Sequence, residues 1–141
     1  MMIPLPFISY LKYLWKAKDP HSVHSPFVFK LLCLCIHKVS KASVLEVYLN
    51  AVQNYLKDFS VAVSVLEGAD KECSKNTFTN PNDHCFFISD IHKNKLSEQC
   101  WSSLIQDKNI QISIDFWSFG LIFIKKNQEK EHFILFKSPW R

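Results

Sequence analysis

The chain has 141 residues, of which 48% are hydrophobic and 21% charged, and its formal net charge at pH 7 is +4. This is the composition of a globular domain, so it argues against a mainly disordered chain. Only two glycines occur, Gly68 and Gly120. Their scarcity argues against a conventional nucleotide-binding loop, which needs glycine where the backbone approaches the ligand.

The first predicted element is an amphipathic helix at residues 5–18. Its apolar side chains recur at helical spacing, while Lys12, Lys16 and Lys18 lie mostly off the apolar stripe. No run in the chain reaches the ~18 apolar residues of a membrane span. We therefore interpret this helix as one that docks on the protein's own core or on a partner. A membrane surface or nucleic acid, bound through the basic termini, is the alternative.

A second helix is predicted at residues 26–38. Ser25 is a typical N-cap, and Pro26 suits the first helical turn because its missing N–H would have no partner there. His21 and His24 precede this helix. We interpret them as hydrogen-bonding loop residues rather than as metal ligands.

Residues 43–58 allow two interpretations. Ser43 and Glu46 have the spacing of a capping box, and apolar side chains continue at helical spacing to residue 59, which predicts one continuous helix. Alternatively, residues 43–48 form a short strand and the helix begins near Asn50. Propensity favours the continuous helix.

The rest of the chain alternates predicted strands and helices. We expect a strand at residues 61–66, a polar segment with turn signals at 69–84, a strand at 85–89 and a helix at 97–106. A hairpin follows, with strands at 110–117 and 121–125 around a turn at 118–120. Residues 133–137 are a candidate edge strand. Six aromatic side chains are interpreted as core: Trp15, Phe27, Phe29, Trp101, Trp117 and Phe119.

Five cysteines form no CxxC pair, and they are Cys33, Cys35, Cys73, Cys85 and Cys100. The spacing of Cys33 and Cys35 does not suit a zinc knuckle, and their neighbours are apolar. We therefore expect no metal site, and we expect free thiols in a cytoplasmic protein.

Three segments together point to a protein family. HSPFVF at residues 24–29, SDIH at residues 89–92, and Asp115 with Gly120 and EHFIL at residues 131–135 resemble class I S-adenosylmethionine-dependent methyltransferase-like proteins of the Bacteroidetes group. In that family a helical lead-in precedes a Rossmann-like domain, which ends in a strand, a helix and an antiparallel hairpin. The resemblance covers roughly residues 8–38 and 60–137.

The resemblance also implies where the cofactor loop would lie. The family's first strand ends in an acid followed by a loop of the form E-L-G-T-S-L-G, and residues 46–52 here are E-V-Y-L-N-A-V. Glu46 keeps the acid, but Tyr48 and Val52 replace the two glycines that let the backbone pass against the cofactor. The loop is therefore expected to be lost.

A second part of the cofactor site is implied at Glu67 and Gly68. They resemble the family's L-E-G, in which the acid hydrogen-bonds the ribose hydroxyls; the alternative is a strand-end glutamate that faces water. After this point the family has a further strand–helix–strand unit before the SDIH strand. Fewer than twenty residues intervene here, so much of that unit is missing.

Asp90 and His92 are the candidate catalytic residues. They follow a predicted strand, and the carboxyl ends of parallel strands are the usual ligand edge of an α/β sheet. The two side chains suit a general base or a metal ligand pair. No third ligand is identifiable, however, and a strand-end aspartate often caps the following loop.

These observations predict an α/β fold in which N-terminal helices pack on a reduced Rossmann-like sheet ending in an antiparallel hairpin. Residues 1–42 would form the lead-in and residues 43–141 the reduced domain, as one compact unit. We expect a degenerate, non-catalytic protein without a cofactor, acting as a structural or interaction subunit in a homodimer or with another protein. The expected contact involves residues 2–18 or the edge next to residues 61–66. The alternative is an active S-adenosylmethionine-dependent methyltransferase with a remodelled or partner-completed cofactor site.

Overall fold

The computed structural model describes residues 5–17, 25–39, 44–66, 83–126 and 128–137. Within these ranges the chain forms four α-helices and five β-strands. In chain order they are α1 (Leu5–Lys16), α2 (Pro26–Leu34), α3 (Leu45–Lys57), β1 (Ala62–Leu66), β2 (His84–Ser89), α4 (Lys95–Ile105), β3 (Ile112–Asp115), β4 (Phe119–Ile124) and β5 (Glu131–Ile134). His21, His24, Glu67, Gly68 and Cys73 lie outside the described residues.

The five strands form one mixed sheet in the order β1-β2-β4-β3-β5. The pairs β1–β2 and β3–β5 are parallel, whereas β4 runs antiparallel to both of its neighbours. Consequently β1, β2, β3 and β5 all point the same way, and their carboxyl ends share one edge of the sheet. The prediction of a mixed α/β fold is confirmed.

One face of the sheet is covered by α2 and α3. Ser25 caps α2 as predicted, because its side chain accepts a hydrogen bond from the Val28 backbone N–H. The helix is shorter than predicted, since Cys35 leaves helical geometry and a 3₁₀ turn at Ile36–Lys38 follows. The apolar side chains of this segment that are buried against the sheet include Val28, Leu31, Leu32 and Ile36.

Residues 43–58 contain one continuous helix, α3, as propensity predicted. Tyr48, Val52 and Leu56 recur every four residues and are all buried against the sheet. The residue before the helix is Val44, which provides no side-chain cap. Ser43, the predicted cap, lies outside the described residues.

The other face of the sheet is covered by α4. This helix begins at Lys95, before the predicted residue 97, because the Asn94 side chain accepts the Ser97 backbone N–H at 2.8 Å and so caps the helix earlier. Four side chains of this helix are predicted to face inward; Cys100, Trp101 and Leu104 are buried, and Ile105 is partly buried.

The described cysteines do not all share one redox state. Cys33, Cys35 and Cys85 are free thiols, with Cys35 and Cys85 buried. Cys100 is disulfide-bonded. The expectation of free thiols throughout was therefore wrong at Cys100, because a buried cysteine on a helix gives no sequence signal that separates a thiol from a disulfide.

The hairpin turn differs from its prediction because Gly120 has another role. The turn lies at residues 116–118, where the Phe116 N–H bonds the Phe119 carbonyl, and Phe119 and Gly120 already belong to β4. A Cβ atom at Gly120 would lie 2.5 Å from the ring of Trp101. Glycine is needed there for close packing of α4 on the sheet, and the left-handed backbone conformation is at Trp117, with φ 74°.

The edge strand and the aromatic side chains also differ in part from expectation. The last strand begins at Glu131, two residues before the predicted 133–137. Trp101 and Phe119 are buried as predicted, but Trp15 is 90% exposed and Phe29 is 40% exposed. Trp15 is exposed because α1 faces the rest of the protein with Tyr13 and Ala17, which are buried.

Candidate functional site

The loop after β2 begins at the edge where the parallel strands end. Asp90 has φ 56°, a left-handed conformation that aspartate tolerates better than most residues. Its backbone N–H donates to the Ser118 carbonyl at 2.9 Å. Asp90 thus ties the end of β2 to the hairpin turn through its backbone, while its side chain is exposed.

His92, two residues further on, lies between two carboxylates. Its Nδ1 is 2.8 Å from Oε2 of Glu98 in the first turns of α4, and its Nε2 is 2.6 Å from Oδ2 of Asp115 at the end of β3. The buried side chain of Ile91 anchors the loop beside it. A neutral imidazole has one N–H, so only the protonated ring can donate to both carboxylates.

The surroundings of His92 favour the charged ring. Burial on its own lowers the pKa of His92, but the hydrogen bond and negative charge of Asp115, followed by those of Glu98, outweigh it and leave the pKa raised. The side chain of Asp115 is only 7% exposed. A protonated His92 therefore balances a carboxylate that would otherwise be buried without a counter-charge.

Trp117 completes the site from the hairpin turn. Its indole stacks on the imidazole of His92 at 4.5 Å between ring centroids, with an angle of 10° between the planes. The Trp117 backbone N–H donates to Oδ1 of Asp115 at 2.8 Å, while Oδ2 accepts from His92. Asp115 therefore positions both His92 and Trp117. The face of the Trp117 indole lies over the imidazole of His92, which is cationic when protonated.

Helix α1 packs over this end of the sheet through two tyrosines. Tyr10 meets Trp117 edge-on at 5.0 Å, and the ring of Tyr13 lies 5.6 Å from Trp117 and 5.7 Å from Phe136. The Tyr13 hydroxyl donates to the Leu135 carbonyl. Burial, and then the negative charge of Asp115, raise the pKa of Tyr13 above its usual range. Tyr13 is therefore a neutral, buried donor.

The candidate cofactor residues are placed differently. Glu46 lies in the first turn of α3 on its exposed side. Tyr48 is fully buried, and its ring lies 5.3 Å from that of Phe119. The Nζ of Lys137 lies 5.6 Å from the centre of the Tyr48 ring. The structure thus brings Tyr48 into the core and leaves Glu46 outside the group around His92.

The sequence found His92 but missed its partners. Glu98 lies in a predicted helix, where nothing in the sequence indicates a functional role. Asp115 was noted only as part of the family resemblance. One signal was available: the predicted strands 85–89 and 110–117 share a carboxyl edge when they are parallel, so Asp90, His92 and Asp115 near their ends could meet. Among the described residues, no group of three or more histidine, cysteine, aspartate and glutamate side chains is arranged to hold a metal ion.

Two wider observations complete the description of the site. Within the described ranges, no helix combines the length and the apolar character that crossing a bilayer requires. No protein-family model, curated protein or solved structure matches the chain.

Proposed function

We propose that this chain is a degenerate methyltransferase-like protein that does not catalyse a reaction and acts as a structural or protein-interaction subunit. The fold would then be a reduced Rossmann-like sheet with a helical lead-in. The order of elements supports this: β2, α4 and the β3–β4 hairpin follow one another as the strand, helix and hairpin that the resemblance implies.

The observation that carries the proposal is the burial of Tyr48. The resemblance puts a glycine of the cofactor loop at this position, and a second one at Val52. Here both residues belong to α3, and both are fully buried in the core. A helix with its side chains packed on the sheet leaves no open backbone for a cofactor to approach.

The state of His92 supports the absence of catalysis. A general base needs a nitrogen lone pair within reach of a substrate proton. Both ring nitrogens of His92 are occupied by Glu98 and Asp115, and one ring face is covered by Trp117. These contacts suit a residue that holds a loop, a helix and a strand together.

The exposed face of α1 supports an interaction role. Ile8, Leu11 and Trp15 lie at helical spacing and are at least one-third exposed, with Trp15 the most exposed at 90%. Exposed apolar stripes of this kind suit contact with another protein or a second copy. Lys12 and Lys16 are exposed on the same helix, so nucleic acid or an anionic membrane surface is the weaker proposal for this face.

Calorimetric titration of the purified chain with S-adenosylmethionine tests the proposal. We expect no binding heat at physiological cofactor concentrations, because α3 replaces the cofactor loop and buries Tyr48 and Val52. A dissociation constant of tens of micromolar or tighter, lost in Glu67→Ala, would contradict it. That result would favour the alternative, an active methyltransferase whose cofactor site is remodelled or completed by a partner.

The cytoplasmic location is also a proposal. Disulfides persist mainly in oxidising compartments, so the bond at Cys100 argues against this location. Thiol labelling of Cys100 in intact cells decides the matter. A free thiol would support a cytoplasmic protein, and a stable disulfide would contradict it.

A further inference from the structure

The outer edge of β1 is open along the described part of the chain. Within that part, β1 pairs with β2 alone and forms one end of the sheet. Its five residues contain neither a charge nor a proline, and their register against β2 runs without a bulge from Ala62 to Leu66. Charges, prolines and bulges are the features by which natural edge strands avoid further pairing.

The other end of the sheet differs. The outer strand there, β5, begins with Glu131 and follows Lys130, so charged side chains flank its edge. In β1, by contrast, the most exposed large side chain is the apolar Val65, which is 44% exposed. The β1 edge therefore has the properties of a strand that accepts another strand.

A groove accompanies this edge. It has a volume of about 490 Å³ and lies between α3, which contributes Gln53, Asn54 and Lys57, and residues 60–63, which lead into β1. Ser60, with φ 58°, makes the sharp turn that brings the strand back along the helix. A groove between a helix and a sheet edge suits β-strand addition, in which backbone hydrogen bonds provide the affinity.

We propose that β1 of a second copy of this chain occupies this edge, antiparallel to the first and related to it by a two-fold axis. This deepens the proposed interaction role and rests on it. A two-fold contact must be self-complementary. The uncharged β1 strand meets that requirement, because two identical antiparallel strands offer each other the same backbone donors and acceptors.

The geometry of the dimer follows from the length of the strand. Full overlap of two antiparallel five-residue strands puts the middle residue, Ser64, opposite Ser64 of the second copy. Val65 then lies opposite Val63 of the second copy, and the two sheets become one continuous sheet. Directly opposite residues in an antiparallel pair have Cβ atoms about 4.5–5.5 Å apart.

Sedimentation at micromolar concentration tests the contact with a matched pair of variants. Val65→Lys places a charge on the β1 edge, whereas Leu96→Lys makes the same change at a 58% exposed residue of α4. We expect wild type and Leu96→Lys to be dimers, and Val65→Lys to dissociate with a dimer constant at least tenfold weaker. A monomeric wild type, or equal constants for both variants, would overturn the proposal.

Cross-linking provides a second test that does not depend on the folding of Val65→Lys. In a Cys33→Ser background, Ser64→Cys is expected to form an intermolecular disulfide under mild oxidation, because opposite Cβ atoms lie near disulfide distance. Leu96→Cys is the control and is expected to remain unlinked. A dimer without a link at residue 64 would overturn this contact yet leave the interaction role intact. Binding of S-adenosylmethionine, in turn, would overturn that role without affecting the contact.

Discussion

The carboxyl edge around His92 and the outer edge of β1 differ in how fully their polar groups are hydrogen-bonded. At the carboxyl edge, both ring nitrogens of His92 lie within hydrogen-bond distance of a carboxylate, and the second oxygen of Asp115 accepts from the Trp117 backbone. At the β1 edge, the described residues provide strand pairing on one side only. The edge where α/β enzymes bind ligands is closed here, whereas the outer side of β1, an edge that most proteins protect, has no partner strand among the described residues. The proposed interaction role rests on this difference between the two edges.

The largest effect is expected from the core that replaces the cofactor loop. Tyr48→Ala is expected to lower the free energy of unfolding by about 3–5 kcal/mol, as for other large buried side chains. Val47→Ala is the control: Val47 is the preceding residue of α3 and is 43% exposed, so its loss is expected to stay within about 0.5 kcal/mol. Urea unfolding measures both. Similar small losses would mean that Tyr48 lies in an open cleft.

The second prediction concerns the loss of either carboxylate partner of His92. Asp115→Asn is expected to cost about 2 kcal/mol in unfolding free energy, because it removes a charged hydrogen bond at a 7% exposed side chain. Glu98→Gln is expected to cost about 1 kcal/mol or less, since the Glu98 side chain is 24% exposed and water screens the pair. A larger loss for Glu98→Gln than for Asp115→Asn would contradict the assignment of Asp115 as the main partner of His92.

The pH dependence of stability isolates His92. Its pKa is raised in the folded protein, so its contribution is fully present below the unfolded pKa of about 6.5 and is lost as the pH rises through the folded pKa. Burial lowers the pKa of His37, His84 and His132. The contribution of these three histidines to stability therefore rises with pH, whereas that of His92 falls.

Subtraction of a variant therefore separates His92 from the other histidines. The advantage of wild type over His92→Gln in unfolding free energy is expected to be larger at about pH 6 than at about pH 9. Chemical denaturation at the two pH values measures this difference. An advantage that stays constant or grows with pH would show that the ring is not held as an imidazolium.

The smallest effects are expected on α1, whose two faces differ. Tyr13→Phe is expected to cost about 1 kcal/mol, because it removes the hydrogen bond to the Leu135 carbonyl. Trp15→Ala is expected to change the unfolding free energy by no more than about 0.5 kcal/mol, because Trp15 is 90% exposed. Thermal and urea unfolding of both variants measure the contrast. A larger loss at Trp15 would place that side chain in the protein's own core.

The sequence predicted most of the elements because their signals are local. Ser25 and Pro26 marked the start of α2, and the spacing of Tyr48, Val52 and Leu56 distinguished one helix from a strand and a helix. Alternating or continuous apolar runs located β1, β2 and the hairpin. In each case the residues that determine the element are close neighbours in the sequence.

Features set by distant contacts were missed. Gly120 looked like a turn residue, but the approach of Trp101 from α4 is what requires it. Trp15 looked like a core residue, since only the docking of α1 decides which side of that helix is covered. The partners of His92 were also missed, because Glu98 and Asp115 reach it from a helix and a strand that the sequence alone does not place.

The closed state of the carboxyl edge can be tested directly by nitrogen NMR of the His92 ring at neutral pH. Two contacts to carboxylates require that Nδ1 and Nε2 both carry protons. We predict imidazolium shifts for both nitrogens in wild type and their loss in Asp115→Asn. A neutral ring with one unprotonated nitrogen at pH 7 would contradict the account, because it would leave a base available at the edge where ligands bind.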